Sequence, residues 1–522
     1  MISQAAQVIS DVNPGYPDSW PSSFSDLNDL VLFAAHTPAT GMELWRTDGT
    51  PGGTQLVKDI RPGPDQSSLN RFTVIDGTLY FTADDGVHGH ELWKSDGTEV
   101  GTVMIKDVDL DTVNNGLYPG LMTGLGSFVY FRTDDLVSGQ ELWRTDGTEV
   151  GTVMVKDISP GSASSDIRQM IVLNGQLLFW AEADTNGWAL WRSDGTEVGT
   201  VMVKDIDPSG PPPAMRAFYE INGVAYFSAV DTIHGSELWR TDGTEQGTWM
   251  VKDIRLDSAS SWIADMRVLG DGIIFSAFTD AHGRELWLSD GTEQGTNLVL
   301  DLYPGPEDGT IAQHNPIVVN DWLFFAGADG TIVPPLGLYI TNGTDTYLVT
   351  DDLAGMGSLS PACGGVVFDG NDGIHDWELW YSNGTQTGTY MVQDINTGPL
   401  ASHPGDFLEY EDQLIFSAQT SMFGREPWTC PCAAVGITEN HDVLGLKIVP
   451  IPASVTAHIT LPDGRGLWIL QVTDAEGRVV YHSQSAESSV VIELAGWSAG
   501  FYQVSARNNE THAVGKLVVM RQ

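Results

Sequence analysis

The sequence predicts an all-β chain: a large β-propeller of about nine four-stranded blades, followed by a small immunoglobulin-like β-sandwich. Three observations predict it. A tryptophan recurs at Trp45, Trp93, Trp143, Trp191, Trp239, Trp287, Trp380 and Trp428, mostly 48 residues apart, with Tyr339 in the ninth equivalent place. Asp-Gly and Asn-Gly pairs punctuate each period, and both tolerate the positive φ of two-residue hairpin turns. No helical period interrupts the apolar runs between Ser22 and Trp428.

The copy from Arg71 to Ile105 shows the four strands in order. "RFTVI" ends at the turn Asp76-Gly77, "TLYFTA" runs apolar to "DDGVHG", "HELWKS" closes at Asp96-Gly97, and "GTVMIKDV" completes the unit. Such a unit cannot cover both of its faces alone, so copies are expected to stack radially as blades. The repeated tryptophan then fills the wedge between neighbours, where a large aromatic buries roughly 150 to 250 Å². A "VKDI"-type phrase keeps step, with its aspartate at Asp11, Asp59, Asp107, Asp157, Asp205, Asp253, Asp301, Asp351 and Asp394. That aspartate is expected to accept hydrogen bonds that fix the turn after the outer strand.

The two ends of the repeat region are complementary. "QVISDVNPG" matches only a fourth strand, whereas the last copy stops at "REPWTC", after its third. The amino-terminal strand is therefore expected to complete the last blade and close the ring, removing an open edge. This counting gives nine blades; eight with a distorted segment at "TIVPPLGLYITNGTDTYL" is the alternative. The long second-to-third strand loops and the blade-to-blade loops leave from one side of the ring, where a rigid scaffold commonly carries function.

The formal charge is −44, of which −42 belongs to residues 1–435, because residues 436–522 hold eight acidic and six basic side chains. Such a surface repels nucleic acid and anionic lipid, and favours cations and solubility. Asp107, Asp109 and Asp111 alternate in "DVDLDTVNNG", a spacing from which carboxylates can converge on calcium, although the rest of an EF-hand loop is missing. His88, His234, His282 and His375 recur beside the second-to-third strand loop and read as a habit of that loop. Of the three cysteines, the pair in "CPC" is strained for a mutual bond, so either Cys430 or Cys432 is available to Cys363. Nucleophile elbow, phosphate-cradling glycine loop and zinc spacing are all missing, and no catalytic residue is assigned. Glu182, Glu220 and Glu409 depart from the repeat as single acids.

After the linker 436–445, residues 446–522 alternate in about seven short strands, a β-sandwich by pattern. "VPIPAS", "VTDAEGRVV", "AGFYQV" and "KLVVMRQ" resemble the type A carboxy-terminal sorting domain of the type IX secretion system, with Ile451 where that family usually has asparagine. The residues carrying the resemblance are Gly477, Arg478, Gly500, Tyr502, Lys516, Leu517 and Val518. The nine copies resemble the "ELWxxDGTxxGT" repeat proteins, often joined to such a tail. The resemblance implies the type IX machinery as partner and an extracellular or outer-surface location. The start at "MISQAAQVIS" shows neither a basic segment nor a long apolar run, so the amino terminus is expected to be truncated or processed, and no transmembrane helix is expected. Three functions follow as expectations: a secreted or cell-surface binding or adhesion module for a glycan or protein, a structural surface-layer protein, or a calcium-assisted lyase or hydrolase.

Overall fold

The computed structural model describes residues 6–435 except 16, 109–118, 184–186, 208–216, 311–314 and 331–335. In the tail it describes 444–445, 447–449, 456–460, 468–473, 478–485, 489–494, 497, 500–507 and 512–519. The chain separates into two compact units, Met1–Ile437 and Thr438–Gln522.

The first unit is a propeller of nine antiparallel sheets, here blades 1 to 9, at 22–58, 70–106, 120–156, 168–204, 219–252, 264–300, 317–350, 355–393 and 405–431. Blade 7, the segment for which distortion was the alternative, forms a regular four-stranded sheet with Tyr339 in the tryptophan position, so the count is nine. The irregular blade is the eighth, whose first strand is split into Gly355–Met356 and Ser360–Ala362. The last blade takes Gln7–Val8 as its fourth strand, antiparallel to Gly424–Pro431, with Val8 opposite Trp428. The Ile9 N–H adds a bond to the Pro427 carbonyl at 2.8 Å.

First strands form the inner ring. Ser22–Leu27 lies against Asn70–Ile75, and Gly405–Tyr410 comes back against Ser22–Leu27, so the circle is complete. Blades 4 and 5 meet through Trp180, Phe218 and Phe227, with Trp180 stacked on Phe218 at 5.9 Å between centroids.

Each blade repeats one packing solution. A second-strand phenylalanine stands opposite the repeated aromatic of the third strand: Phe33 with Trp45, Phe81 with Trp93, Phe325 with Tyr339, Phe416 with Trp428. Trp93 joins Val57 and Ile60 of blade 1, and Trp191 joins Val155 and Ile158 of blade 3, so the indole seals the junction with the preceding blade. Trp93, Trp143, Trp191, Trp239, Trp287 and Trp428 are buried, and Trp45 and Trp380 half-buried.

Among the described residues the second unit is a sandwich of eight strands. Its five-stranded sheet runs, in spatial order, Leu444–Gly445, His512–Val519, Gly500–Arg507, Trp468–Thr473 and Val479–Ser485. Its three-stranded sheet is Lys447–Val449, Thr456–Thr460 and Ser489–Glu493. Ile459 and Ile492 from one sheet share a core with Trp468, Leu470, Tyr502 and Val504 from the other.

Candidate functional site on the loop face

The two sets of long loops meet because a serine in the blade-to-blade loop bridges adjacent blades. The Ser67 N–H donates to the Met42 carbonyl of blade 1 at 3.2 Å, and the Ser67 carbonyl accepts from Asp84 N of blade 2 at 2.8 Å. Ser19, Ser165, Ser261 and Ser402 make the same two bonds elsewhere in the ring. A third-strand glutamate, the first letter of "ELW", holds this arrangement from beneath. Glu237 accepts from Ile254 N at 3.1 Å, from Ser261 N at 3.2 Å and from Ser261 Oγ at 2.9 Å. Glu43, Glu141, Glu378 and Glu426 act alike on their own loops. Blades 4 and 7 carry Ala189 and Gly337 there instead.

These carboxyls sit in apolar surroundings, which disfavours the charged form. Burial pushes Glu43, Glu141, Glu237, Glu285 and Glu426 up to about 7.

The anchor forces the residue after each serine into the left-handed region. Trp20 has φ 50°, Ser68 51°, Asp166 43°, Trp262 48° and His403 42°. Three residues further on Ser23, Arg71, Gln169, Asp265 and Asp406 repeat that conformation at φ 60°, 58°, 49°, 53° and 52°, where the inner strand shifts register. Non-glycine residues held there are strained, and such strain concentrates at binding sites. The anchors are the same in these copies, but the displayed side chains differ. Trp20 is 55% exposed and Trp262 52% exposed, at the mouth of the inner ring. Arg255 braces Trp262 at 5.3 Å and Phe278 at 4.8 Å, while His403 stacks on Trp377 at 6.4 Å.

The opposite face is built differently. Asp48, Asp96, Asp146, Asp194, Asp242 and Asp290 of the "DGT" turns each accept from the threonine hydroxyl two residues on, at 2.6 or 2.7 Å. Arg46 and Arg144 reach the carbonyls of Gly97 and Gly195 in the next blade, and Lys58 and Lys156 those of Thr102 and Thr200. Here the residues that recur are structural.

The residues singled out by sequence fall as follows. Asp107 lies just past the strand Val103–Lys106 and its charge bears on His88; Asp109 and Asp111 lie outside the described residues. Among the described residues no three His, Cys, Asp or Glu side chains converge as a metal site. The repeated aspartates Asp11, Asp59, Asp157 and Asp394 accept from the glycine N–H four residues on. His88, His234 and His375 bind the loop aspartates Asp85, Asp231 and Asp372 at 2.7, 2.9 and 2.7 Å, and His282 binds Asp301 at 2.9 Å. The first three therefore stiffen their own loops, and His282 ties its loop to the segment that follows the fourth strand of its blade. Glu220 and Glu409 accept the backbone N–H groups of Gly223 and Cys363, and Glu182 sits opposite Trp188. Cys363 pairs with Cys432, Cα to Cα 5.1 Å, leaving Cys430 a buried thiol pushed up to about 12 by its apolar surroundings.

In the tail, Tyr502 is buried beside Trp497 at 4.9 Å, and Arg478 is exposed. Gly500 opens its strand opposite Val519, and Tyr502 and Phe501 pair in register with Leu517 and Val518. Lys516 pairs with Gln503, and Gly477 lies outside the described residues.

Comparison with known proteins defines the class of the tail. Residues 447–520 match the secretion system C-terminal sorting domain family, so the chain carries the export tail of a type IX secretion cargo. That tail implies interaction with the type IX machinery and export to the cell surface or extracellular space. No curated protein sequence matches the chain. Among solved structures it is similar to PorZ, a surface component of the type IX secretion system of Porphyromonas gingivalis, at 12% identity and TM-score 0.31, over 96% of this chain and 75% of that one. It is similar also to a prolyl endopeptidase, at 13% and 0.39 over 68% of this chain and 54% of that one. A third is a puromycin-hydrolyzing peptidase of Mycobacterium tuberculosis, at 12% and 0.38 over 80% and 61%. The chain thus spans about half the length of the endopeptidase it matches. Likeness at this level carries no conclusion about activity. Among the described residues no helix is long and apolar enough to cross a membrane.

Proposed function

We propose that the propeller is a secreted or cell-surface binding module that takes a glycan on its loop face, with the sorting tail delivering it there. The observation that carries this reading is the pair Trp20 and Trp262, large apolar rings held in strained backbone and half exposed at the mouth of the inner ring. An indole fixed in this way offers a flat apolar face at little further entropy cost, the property that makes tryptophan a frequent anchor of recognition. The likeness of the nine copies to "ELWxxDGT" repeat proteins that carry such a tail supports a role outside the cell.

The test is a broad glycan array probed with the full chain, with calcium and again with a chelator. Binding is expected, and Trp20→Ala together with Trp262→Ala should weaken it at least tenfold while leaving the melting temperature within a few degrees. Loss of binding in chelator, reproduced by Asp107→Asn, would support a ligand-linked calcium site at Asp107, Asp109 and Asp111. Silence from a folded chain would overturn the glycan reading and leave the structural surface role.

A further inference from the structure

The propeller has few cations, and most are committed. The recurring arginines and lysines of the opposite face hold carbonyls of the next blade, including Arg192 and Arg240 on Gly243 and Gly291. On the loop face Arg61 and Arg255 pair with Asp84 and Asp280 at 2.7 Å, and Arg267 bonds Tyr219 and Asn315. Arg425 bonds Ser417 and the His403 carbonyl.

Arg71, Arg132 and Arg168 are less fully committed, although Arg132 Nη1 donates to the Ile167 carbonyl at 2.5 Å. They come from blades 2, 3 and 4 and converge at the same end of the inner ring. Arg71 begins the inner strand of blade 2 with φ 58° and lies over Gly120 of blade 3, where a Cβ would stand 3.1 Å from its Nε. Arg132 is the cross-strand partner of Gly120. Arg168 opens the inner strand of blade 4, with its guanidinium 4.5 Å from the centroid of Trp188.

Asp166 faces two of the three. It pairs with Arg168 and stands 3.8 Å from Arg132. The Arg71 guanidinium meets no acceptor among the described residues, and Arg132 Nε is buried without a partner. Burial first, and then the charges of Arg71 and Arg168, disfavour protonation of Arg132. Among the described residues Asp166 is the one carboxylate paired with these guanidiniums, which leaves the Arg71 donors and Arg132 Nε over for an anion inside a unit of strongly negative charge.

We propose that Arg71, Arg132 and Arg168 form a subsite for one oxyanionic group, carboxylate or sulfate, carried on an otherwise neutral saccharide. Guanidinium groups suit such oxygens through paired, directional N–H donors. The surrounding acidity selects the rest of the ligand. A densely charged polymer extends past the screening length, about 8 Å at physiological salt, into repulsive surface, whereas a single anionic group among neutral sugars does not. The inference rests on the glycan reading and names the ligand class.

The experiment is saturation-transfer NMR on the full chain with methyl glucoside, methyl glucuronide and methyl glucoside 6-sulfate, and with acetate and inorganic sulfate as sugar-free arms. The expected result is a Kd at least tenfold lower for one or both anionic glycosides than for the neutral one, the better of the two identifying the group. Arg71→Gln, an exposed substitution that spares the fold, should remove most of that gain, and Arg132→Gln the remainder. Equal Kd values for the three glycosides, or a preference that survives both substitutions, would overturn the subsite while leaving neutral glycan binding to stand on the array. Arg71-dependent binding of acetate or sulfate as tight as that of the glycosides would overturn the saccharide ligand and retain only an anion site.

Discussion

The Ile254 N–H donates to the Glu237 carboxylate across the junction between a third strand and the loop that leads to the next blade. Through Ser261 the same carboxylate fixes the backbone beneath Trp262. The glutamate of "ELW" thus serves the display of a side chain that it never touches in sequence.

Replacing it should uncouple that display. Glu237→Ala leaves the N–H groups of Ile254 and Arg255 without their acceptor, and leaves Ser261 only the Ser236 carbonyl for its N–H and hydroxyl. The expected cost is about 3 kcal/mol, given roughly 1 to 3 for each unsatisfied buried group. Chemical denaturation reads the cost. Limited proteolysis of the 253–263 loop should accelerate, while Glu237→Gln, which keeps a carbonyl acceptor, should lose less.

Stability should fall as pH rises from about 4.5 through 7. The buried glutamates have an unfolded value near 4.5 and a folded one of about 7, so their contribution is complete below 4.5 and lost as pH rises through 7. Asp85, Asp231 and Asp372 hold His88, His234 and His375 above their ordinary 6.5, and that contribution too is lost as pH rises. The "DGT" aspartates oppose this at the acid end. Threonine hydroxyls lower Asp96 and Asp194 below 3.8, so their contribution is present above that value and lost as pH falls. Thermal melts from pH 3 to 9 should peak at about pH 4 to 5. A midpoint rising steadily to pH 8 would contradict the burial of these carboxyls.

Trp93→Ala should cost about 3 to 5 kcal/mol, because it opens the junction lined by Val57 and Ile60. Trp45→Ala should cost less, since Trp45 is only half-buried. Denaturant titration of the two variants compares them directly; equal losses would argue against the junction as the source.

The Cys363–Cys432 bond ties blade 8 to the short helix Cys432–Val435 that follows the last blade. Reduction, or Cys363→Ser, should lower stability by about 2 to 5 kcal/mol. Cys430, buried and with its thiol pushed up to about 12, should resist maleimide until the chain unfolds. Mass spectrometry after labelling in native and denaturing buffer counts the reactive thiols.

The blades and their closure were legible in the sequence because each copy meets the same local demands: an aromatic at the junction, a turn pair, an apolar run. The binding side was not. Trp20, Trp262 and His403 read as isolated residues in loops of differing composition, and their left-handed backbone is imposed by a glutamate from a distant strand. A signal existed in the spacing. The anchoring serines Ser19, Ser67, Ser165, Ser261 and Ser402 each lie eight residues after a repeated aspartate, and the displayed residue is the next one. The arginines were invisible for another reason: Arg71, Arg132 and Arg168 come from three copies and meet only when the blades are stacked.

The pairing of Val8 with Trp428 means that residues from the two ends of the repeat region belong to one sheet. In a circle of like blades the position of the seam is a matter of genetics rather than of mechanics. A gene rearranged to join the end of blade 9 directly to residue 7, and to begin instead at a "DGT" turn within another blade, should yield the same ring with a different first residue, and the new termini would leave the recognition side untouched.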